Sequence, residues 1–554
     1  MKKKLLPALI VTGLIILVVI IMGITALINK YTPTKKTEDL KEYFNISSDD
    51  EAALIVDNEL SDYKAKIIDK KIYVDYKFVH DSLNSRFYWD ANENVLLYTT
   101  ASDIISAAAD SNSYSVTKQT NDFGYPIVKA TSDSALIALD YVKQYSNITF
   151  KSYDDPARIV ITSKWDEIDS ATVSKSTQVR VKGGIKSPIL KEVKKDDKIT
   201  ILDSGDKWDK VATEDGVIGY IKRKALSESK KTKLTNPDYE EETFTHIKKD
   251  KDICLAWNQV TSQSANSKVP QVISSTKGIN VMSPTWFYLN DNNGNLADIA
   301  SKDYVSYCHS QGIEVWGLFS NFENTDVDAA YVLTHTSTRT TLINQIMSAA
   351  FNYELDGVNI DFENITEAAY GDSYIEFIRE LAIKCHNNGI SLSVDVTVPA
   401  SFNKFFNRSD MANFADYIVI MGYDEHYKGS DAGSVSSIPW VTEGVESTLK
   451  EVPADQIILG MPFYTRIWEL TPKEDDDAVT DTEDQSKYTV ASQVYSMDAA
   501  AAQLATNNAT AALDEESGQN YAEWSVSNKL YKVWLEDTTS LEKRLKLVDD
   551  NKLA

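Results

Sequence analysis

One octapeptide limits the fold more than any other part of the chain: Asp356-Gly-Val-Asn359-Ile-Asp361-Phe-Glu363. Its polar residues alternate with apolar ones. In a strand, side chains two apart share a face, so Asn359, Asp361 and Glu363 point one way and Val358, Ile360 and Phe362 the other. A parallel-barrel strand has this pattern when its outer face packs on helices and its inner face ends in a reaction site. Residues two apart are separated by about 7 Å of strand rise, which places two carboxylates side by side for acid–base work. The other reading is a buried polar layer held by ion pairs, although several polar groups at one strand end are costly without a use.

The octapeptide resembles the D-G-x-D-x-D-x-E signature of family 18 glycoside hydrolases, the chitinase-like TIM barrels, with Asn359 in place of one Asp. Two further segments follow in the matching order. Met421-Gly-Tyr423-Asp424 is similar to the family's sixth-strand M-x-Y-D, and Gly460-Met461-Pro462-Phe463-Tyr464-Thr465-Arg466 to its seventh-strand G-M-P-x-Y-x-R. The resemblance covers residues 245–554. It implies a (β/α)8 barrel without metal or cofactor, in which the substrate's own 2-acetamido group is the nucleophile, an exception to the two-carboxylate scheme. Glu363 would be the general acid and Asp361 would hold the acetamido N–H. Tyr423 would donate to the acetamido carbonyl. Asn359, Asp424, Arg466, Tyr464, Trp286 and Met421 are expected at the substrate, the aromatic ones either facing sugar or packing. Asn359 removes a charge and bears on the pH profile. His426 either lines the cleft or closes a loop.

Strand candidates recur at barrel spacing: Ile253–Val260, Val281–Leu289, Ile313–Phe319, Gly357–Glu363, Ile390–Val398, Tyr417–Asp424 and Gln456–Tyr464. Between them lie helical patterns such as Leu342-Ile343-x-x-Ile346-Met347. An insertion is expected at about 468–535, with a helix near Met497–Leu504 and a hairpin through Tyr521–Trp524 and Tyr531–Trp534. Its acidic run Glu474-Asp-Asp-Asp477 lacks the spacing of a calcium loop and reads as a solvated loop. Ser540–Ala554 reads as the last helix, and an eighth strand is missing. The expectation is a barrel completed beyond Ala554, because the alternative leaves an open parallel edge.

Ahead of the barrel, Met1-Lys-Lys-Lys precedes an apolar run from Leu5 to Ile28, long enough to span a bilayer. The positive flank puts residues 1–4 in the cytoplasm and everything after Asn29 outside, at the cell membrane. The run exceeds a typical cleaved h-region, so an uncleaved anchor at 5–28 is expected, followed by a spacer at 29–44. A weak repeat follows, Ile72–Val79 against Ala135–Val142, within 45–165. It resembles the small α+β module named after the N-terminal domain of copper amine oxidases, without copper, since only His80 offers an imidazole. Residues 170–227 alternate in short strands and resemble a bacterial SH3-like barrel, in Trp208-Asp-Lys-Val211 and Gly216-Val-Ile-Gly-Tyr220. Each of these regions is a spacer or a wall-binding module. Residues 228–244 read as a linker, with a hinge at Ser227–Pro237.

A net charge of −25 over 554 residues excludes a nucleic-acid surface. Cys254, Cys308 and Cys385 form no disulfide framework and read as small core residues. The leading expectation is therefore a membrane-anchored, extracytoplasmic hydrolase acting on N-acetylglucosamine in peptidoglycan, similar to Gram-positive wall-lytic and spore-cortex members of the family. A non-catalytic glycan-binding or wall-scaffold protein is the second reading. A chitinase or endo-β-N-acetylglucosaminidase is the third.

Overall fold

The computed structural model describes residues 2–363, 365, 370–473 and 484–554. The acidic run Glu474–Asp477 lies outside them. The chain forms two compact units: Met1–Trp89 with Ala107–Tyr114 and Thr120–Glu241, and Asp90–Ser106 with Ser115–Gln119 and Glu242–Ala554.

The first unit opens with the helix Lys2–Tyr31. Its 23-residue segment Leu9–Tyr31 has a mean hydropathy of 2.9 and no buried part, so it is long and apolar enough to cross a membrane. Residues 29–44 are not a free spacer. Thr34 and Glu38 donate N–H to Ile185 O and Ile189 O, both at 2.8 Å, and Ile189 N–H returns to Lys36 O. The segment is held because Phe44, fully buried, joins a core made by Ile55, Val173, Val179 and Val211. That core takes residues from both 45–165 and 170–227, which therefore pack as one body.

Two seven-stranded sheets carry this unit. In one, Lys71–Asp75 and Ala135–Ala138 pair antiparallel, Val74 opposite Ile137, and each leads directly into a short helix, Tyr76–Phe78 and Leu139–Gln144. These are the two copies of the repeat. In the other, Lys230–Lys233 pairs with Glu167–Thr172, so part of the expected hinge is an edge strand of four lysine and threonine residues.

The second unit is built on seven parallel strands: β1 Leu255–Asn258, β2 Val281–Leu289, β3 Glu314–Ser320, β4 Gly357–Asp361, β5 Ser391–Thr397, β6 Tyr417–Met421 and β7 Ile457–Gly460. They pair in sequence order. Each is followed by a helix: α1 Val269–Ser274, α2 Lys302–Ser310, α3 Thr336–Tyr353, α4 Gly371–His386, α5 Arg408–Phe414, α6 Ile438–Thr448 and α7 Thr538–Asn551. At the outer side of β7, Ala554 N–H donates to Ile457 O at 2.9 Å. Between β7 and α7 the chain forms an antiparallel five-stranded sheet, including the hairpin Gln519–Val526 and Lys529–Leu535 and the helix Met497–Thr506.

Two matching segments close the barrel's strand-entry end. Cys308-His309-Ser-Gln-Gly312-Ile313 ends α2, and Cys385-His386-Asn-Asn-Gly389-Ile390 ends α4. Both glycines take positive φ, +71° and +69°, which side chains resist. His309 bonds Asp356 at 2.8 Å and His386 bonds Asp416 at 3.1 Å. Each aspartate stands just before a strand and also accepts a backbone N–H from the preceding one, Val315 or Leu392. Cys308 and Cys385 are buried as expected, whereas Cys254 is exposed: it precedes β1, outside the core.

Helix α4 is buried almost throughout, including Glu376, Arg379 and Glu380. Arg379 pairs with Glu376 and Asp410, and Glu380 with Arg339. Residues from far upstream complete this layer. Thr99 donates to Glu376 at 2.8 Å, and the Asp90 carboxylate accepts from Thr336 N at 2.7 Å, at the start of α3. The segment Asp90–Ser106 is thus part of the barrel unit.

Candidate active site

The site lies at the strand ends opposite the histidine pairs. On β4, Val358, Ile360 and Phe362 face the helices and are buried. Gly357 has no side chain because the Trp316 indole rests on its Cα: a Cβ there would meet the ring at 2.6 Å. Asp356 belongs to the other end, on His309 and Val315, so three of the motif's four polar side chains turn toward the cleft.

Asn359, expected at the substrate, lies beneath the cleft. It is fully buried with every hydrogen-bonding position used. Trp257 Nε1 and Ser283 Oγ donate to its Oδ1 at 3.0 and 2.9 Å. Its Nδ2 donates to Ser393 Oγ at 3.0 Å and Asp395 Oδ1 at 2.7 Å. The amide is a strut between strands.

Above it, Asp361 is largely enclosed, and its Oδ1 is buried with no partner among the described residues. Burial first, then the charges of Glu363 and Glu323, push its carboxyl up to about 8. Glu363 stands at the rim. Burial raises its pKa too, helped by Asp424 and Glu323. Two adjacent acids whose pKa values are both raised are the means by which a carboxyl becomes a better proton donor. Tyr423, from the end of β6, lies edge-on between Trp257 and Tyr464, with ring centroids at 6.2 and 6.1 Å. Burial, then Asp395 and Asp361, hold its hydroxyl protonated.

Tyr464 donates to Asp424 Oδ1 at 2.6 Å, and Asp424 adopts φ +62°, uncommon outside glycine and a frequent mark of functional loops. Arg466 reaches Ser492 Oγ at 3.4 Å, while its buried Nε has no partner among the described residues. Met421 forms one wall of a small cleft of about 190 Å³, with Glu363, Asp395, Thr397 and Phe402. Trp286 is not at the site. Counting by twos along β2 from Ser283, whose hydroxyl is inside, puts Thr285 inward and Trp286 among the helices, against Tyr304 and on Asn266. His426 bonds Asp431 O and lies over Gly433, closing its own loop.

The sequence reading missed three contributors. Asp395 shows in the alternation Ser391, Ser393, Asp395, Thr397, the same inward polar pattern as β4. Trp257 has no such pattern around it; only the folded sheet shows its ring passing over Gly460 of β7, where a Cβ would meet it at 3.0 Å. Glu323 follows β3 and is held by Ser320 Oγ at 2.6 Å. Four exposed aromatics also sit on the loops after β3, β5, β6 and β7: Phe322, Phe402, Tyr427 and Phe463. Among the described residues no cluster of His, Cys, Asp or Glu is arranged to hold a metal ion.

Residues 323–554 match the family described as Glycosyl hydrolases family 18. The C-terminal part of this chain is a family 18 glycoside hydrolase domain. The chain is 25% identical over 194 residues to a Bacillus subtilis (strain 168) protein named "Uncharacterized glycosylase YvbX", covering 32% of this chain and 55% of the other. It is 23% identical over 268 residues to the cortical fragment-lytic enzyme of the same organism, covering 47% and 59%. The chain thus spans little more than half the length of these curated relatives. The solved spore cortex-lytic enzyme SleL of Bacillus megaterium QM B1551 is 19% identical with a TM-score of 0.46, covering 54% of this chain and 68% of that one. Asp361, Glu363 and Tyr423 lie within residues 323–554 and are near enough to act on one another's charge, whereas Trp286 precedes the matched region.

Proposed function

We propose that the chain is a membrane-anchored, extracytoplasmic hydrolase that cleaves β-linked N-acetylglucosamine in bacterial peptidoglycan with retention, using the substrate's acetamido group. The observation that carries this reading is the pair Asp361 and Glu363 at the end of β4, the first largely enclosed and the second at the rim, both carboxyls pushed above their ordinary pKa by burial and by neighbouring acids. Glu363, at the rim, protonates the glycosidic oxygen and later accepts a proton from water. Asp361 receives the acetamido N–H, turns the carbonyl oxygen toward the anomeric carbon and balances the positive oxazolinium. Tyr423, kept neutral by burial, donates its O–H to that carbonyl oxygen. Asp424, fixed by Tyr464, and Arg466 hold sugar hydroxyls, and the exposed aromatics stack on sugar faces.

The similarity to a cortical fragment-lytic enzyme supports a wall glycan as substrate, and the apolar helix supports the anchor. The test is Glu363→Gln in the full chain, assayed for new reducing ends on purified peptidoglycan. The amide keeps the shape and cannot deliver a proton, so the rate falls about 10²–10⁴-fold while wall binding persists. Fully de-N-acetylated glycan should bind without being cut. Cleavage of that glycan at an undiminished rate would overturn the substrate-assisted mechanism. A faster reaction on chitin than on peptidoglycan would reassign the polymer.

A further inference from the structure

Strands β4 and β5 are neighbours in register, with Asn359 opposite Ser393 and Ile360 opposite Val394. The next rung sets Asp361 opposite Asp395. Both point inward, because each stands two residues above a side chain that meets its partner inside the barrel, Asn359 on Ser393. Adjacent strands lie about 4.8 Å apart, so these carboxyls are immediate neighbours. Asp395 is 3% exposed. Among the described residues no lysine, arginine or histidine is named as acting on either acid: around them stand Glu363, Glu323, the amide of Asn359 and the indole N–H of Trp257, which reaches Asp395. From α4 and β6, Tyr374 and Tyr423 also face the pair.

Two buried carboxyls without a cation cannot both ionise cheaply. Asn359 fits this arrangement. Its Nδ2 donates to Asp395 Oδ1 at 2.7 Å, whereas a carboxylate in its place would bring a third acid against that oxygen. The charge that the motif's replaced Asp would carry has moved one strand sideways.

We propose that Asp395 is a positioning residue for Asp361: the two carboxyls hold one proton between them, and Asp395 takes it when Asp361 must be an anion. The inference rests on the catalytic reading above. As positive charge grows on the substrate ring, the proton leaves an Asp361 oxygen and bonds to an Asp395 oxygen. The pair keeps one negative charge throughout and no other reactant enters. Without Asp395, ionising Asp361 requires sending a proton out of the enclosed site.

The experiment uses the full chain in detergent, with purified peptidoglycan as substrate, and compares Asp395→Asn, Asn359→Asp and the double exchange. Asp395→Asn should lower kcat about 10–100-fold with KM changed less than about threefold, because the interaction matters in the transition state. Its acidic pH limb should move to higher pH, since Asp361 must then lose its own proton, with no partner to share one, before it can act as an anion. Asn359→Asp alone should also lose rate, and the double exchange, which reverses donor and acceptor across the 359–395 bond, should recover most of it. An Asp395→Asn enzyme with the parent's pH profile, or a double variant no better than the poorer single one, overturns the proposal. A readout free of activity accompanies these: infrared spectra of protein with isotope-labelled aspartate. The parent should keep one protonated aspartate band at neutral pH, titrating lower in Asp395→Asn, and its absence also overturns the proposal. A parent that shows the band yet cuts no acetamido-glycan supports the shared proton and overturns the hydrolase reading.

Discussion

Asp361 ties the proposed catalysis to stability. Its carboxyl is pushed from the usual 3.8 to about 8, so folding disfavours its charged form. The stabilising contribution of the protonated group is complete below its unfolded pKa and is lost as pH rises toward 8. Asp361→Asn, whose amide does not titrate, should therefore melt higher than the parent at pH 8, by about 2 °C or more for a unit of this size, with the gap closing near pH 4. Calorimetry at the two pH values measures it; a gap that stays constant with pH would show that Asp361 is not held protonated. Asp361 and Glu363 were legible because period-two alternation is unambiguous beside two carboxylates. Trp286 was misplaced because a tryptophan in a strand looks the same from either face, and only Ser283 meeting Asn359 fixes which side is inward. Asn359 was misread for a related reason: its partners come from three other strands, and no local pattern records them.

At the scale of elements, all seven predicted barrel strands are present; Val281–Leu289 has the expected bounds, Ile313–Phe319 is shifted by one residue to Glu314–Ser320, and the other five are shorter at their ends. Ends fray from prediction because the residues entering the loops keep the strand's composition, as in Tyr417–Asp424, where the strand stops at Met421 and Asp424 turns to positive φ. The Cys-His-x-x-Gly-Ile repeat was visible as text, but its partners Asp356 and Asp416 are distant and could not be assigned. Least legible was the contribution of Asp90–Ser106 to α3 and α4. Asp90→Ala removes the acceptor at the first turn of α3 and should cost about 1 kcal/mol, within the range for a lost cap. Hydrogen exchange should rise at Thr336, whose amide loses its acceptor, while the strands are unaffected. Unchanged exchange there would mean that the carboxylate contributes nothing to that helix end.

For the whole molecule, the apolar helix makes the proposed anchor testable. Protease added to intact protoplasts should remove the bulk of the chain and leave a membrane-held stub, and deletion of residues 5–28 should move the protein to the soluble fraction. Recovery of the chain from medium with a new N-terminus near Ile28 would replace the anchor with a cleaved leader. The merging of 45–165 with 170–227 was not legible in the sequence. That merging depends on Phe44, Ile55 and Val173 meeting in one core, and each is an ordinary apolar residue in its own segment.

The hydrogen bond between Thr99 and Glu376 joins residues 277 positions apart. During synthesis at about 5–20 residues per second, Thr99 leaves the ribosome roughly 14–55 s before its partner. Through that interval the segment Asp90–Ser106 has no barrel to join, while Thr120–Glu241, which belong to the other unit, emerge after it and are free to fold. Assembly of this protein is therefore interleaved in time: an early-made piece must wait, exposed, for the late-made helix that it covers.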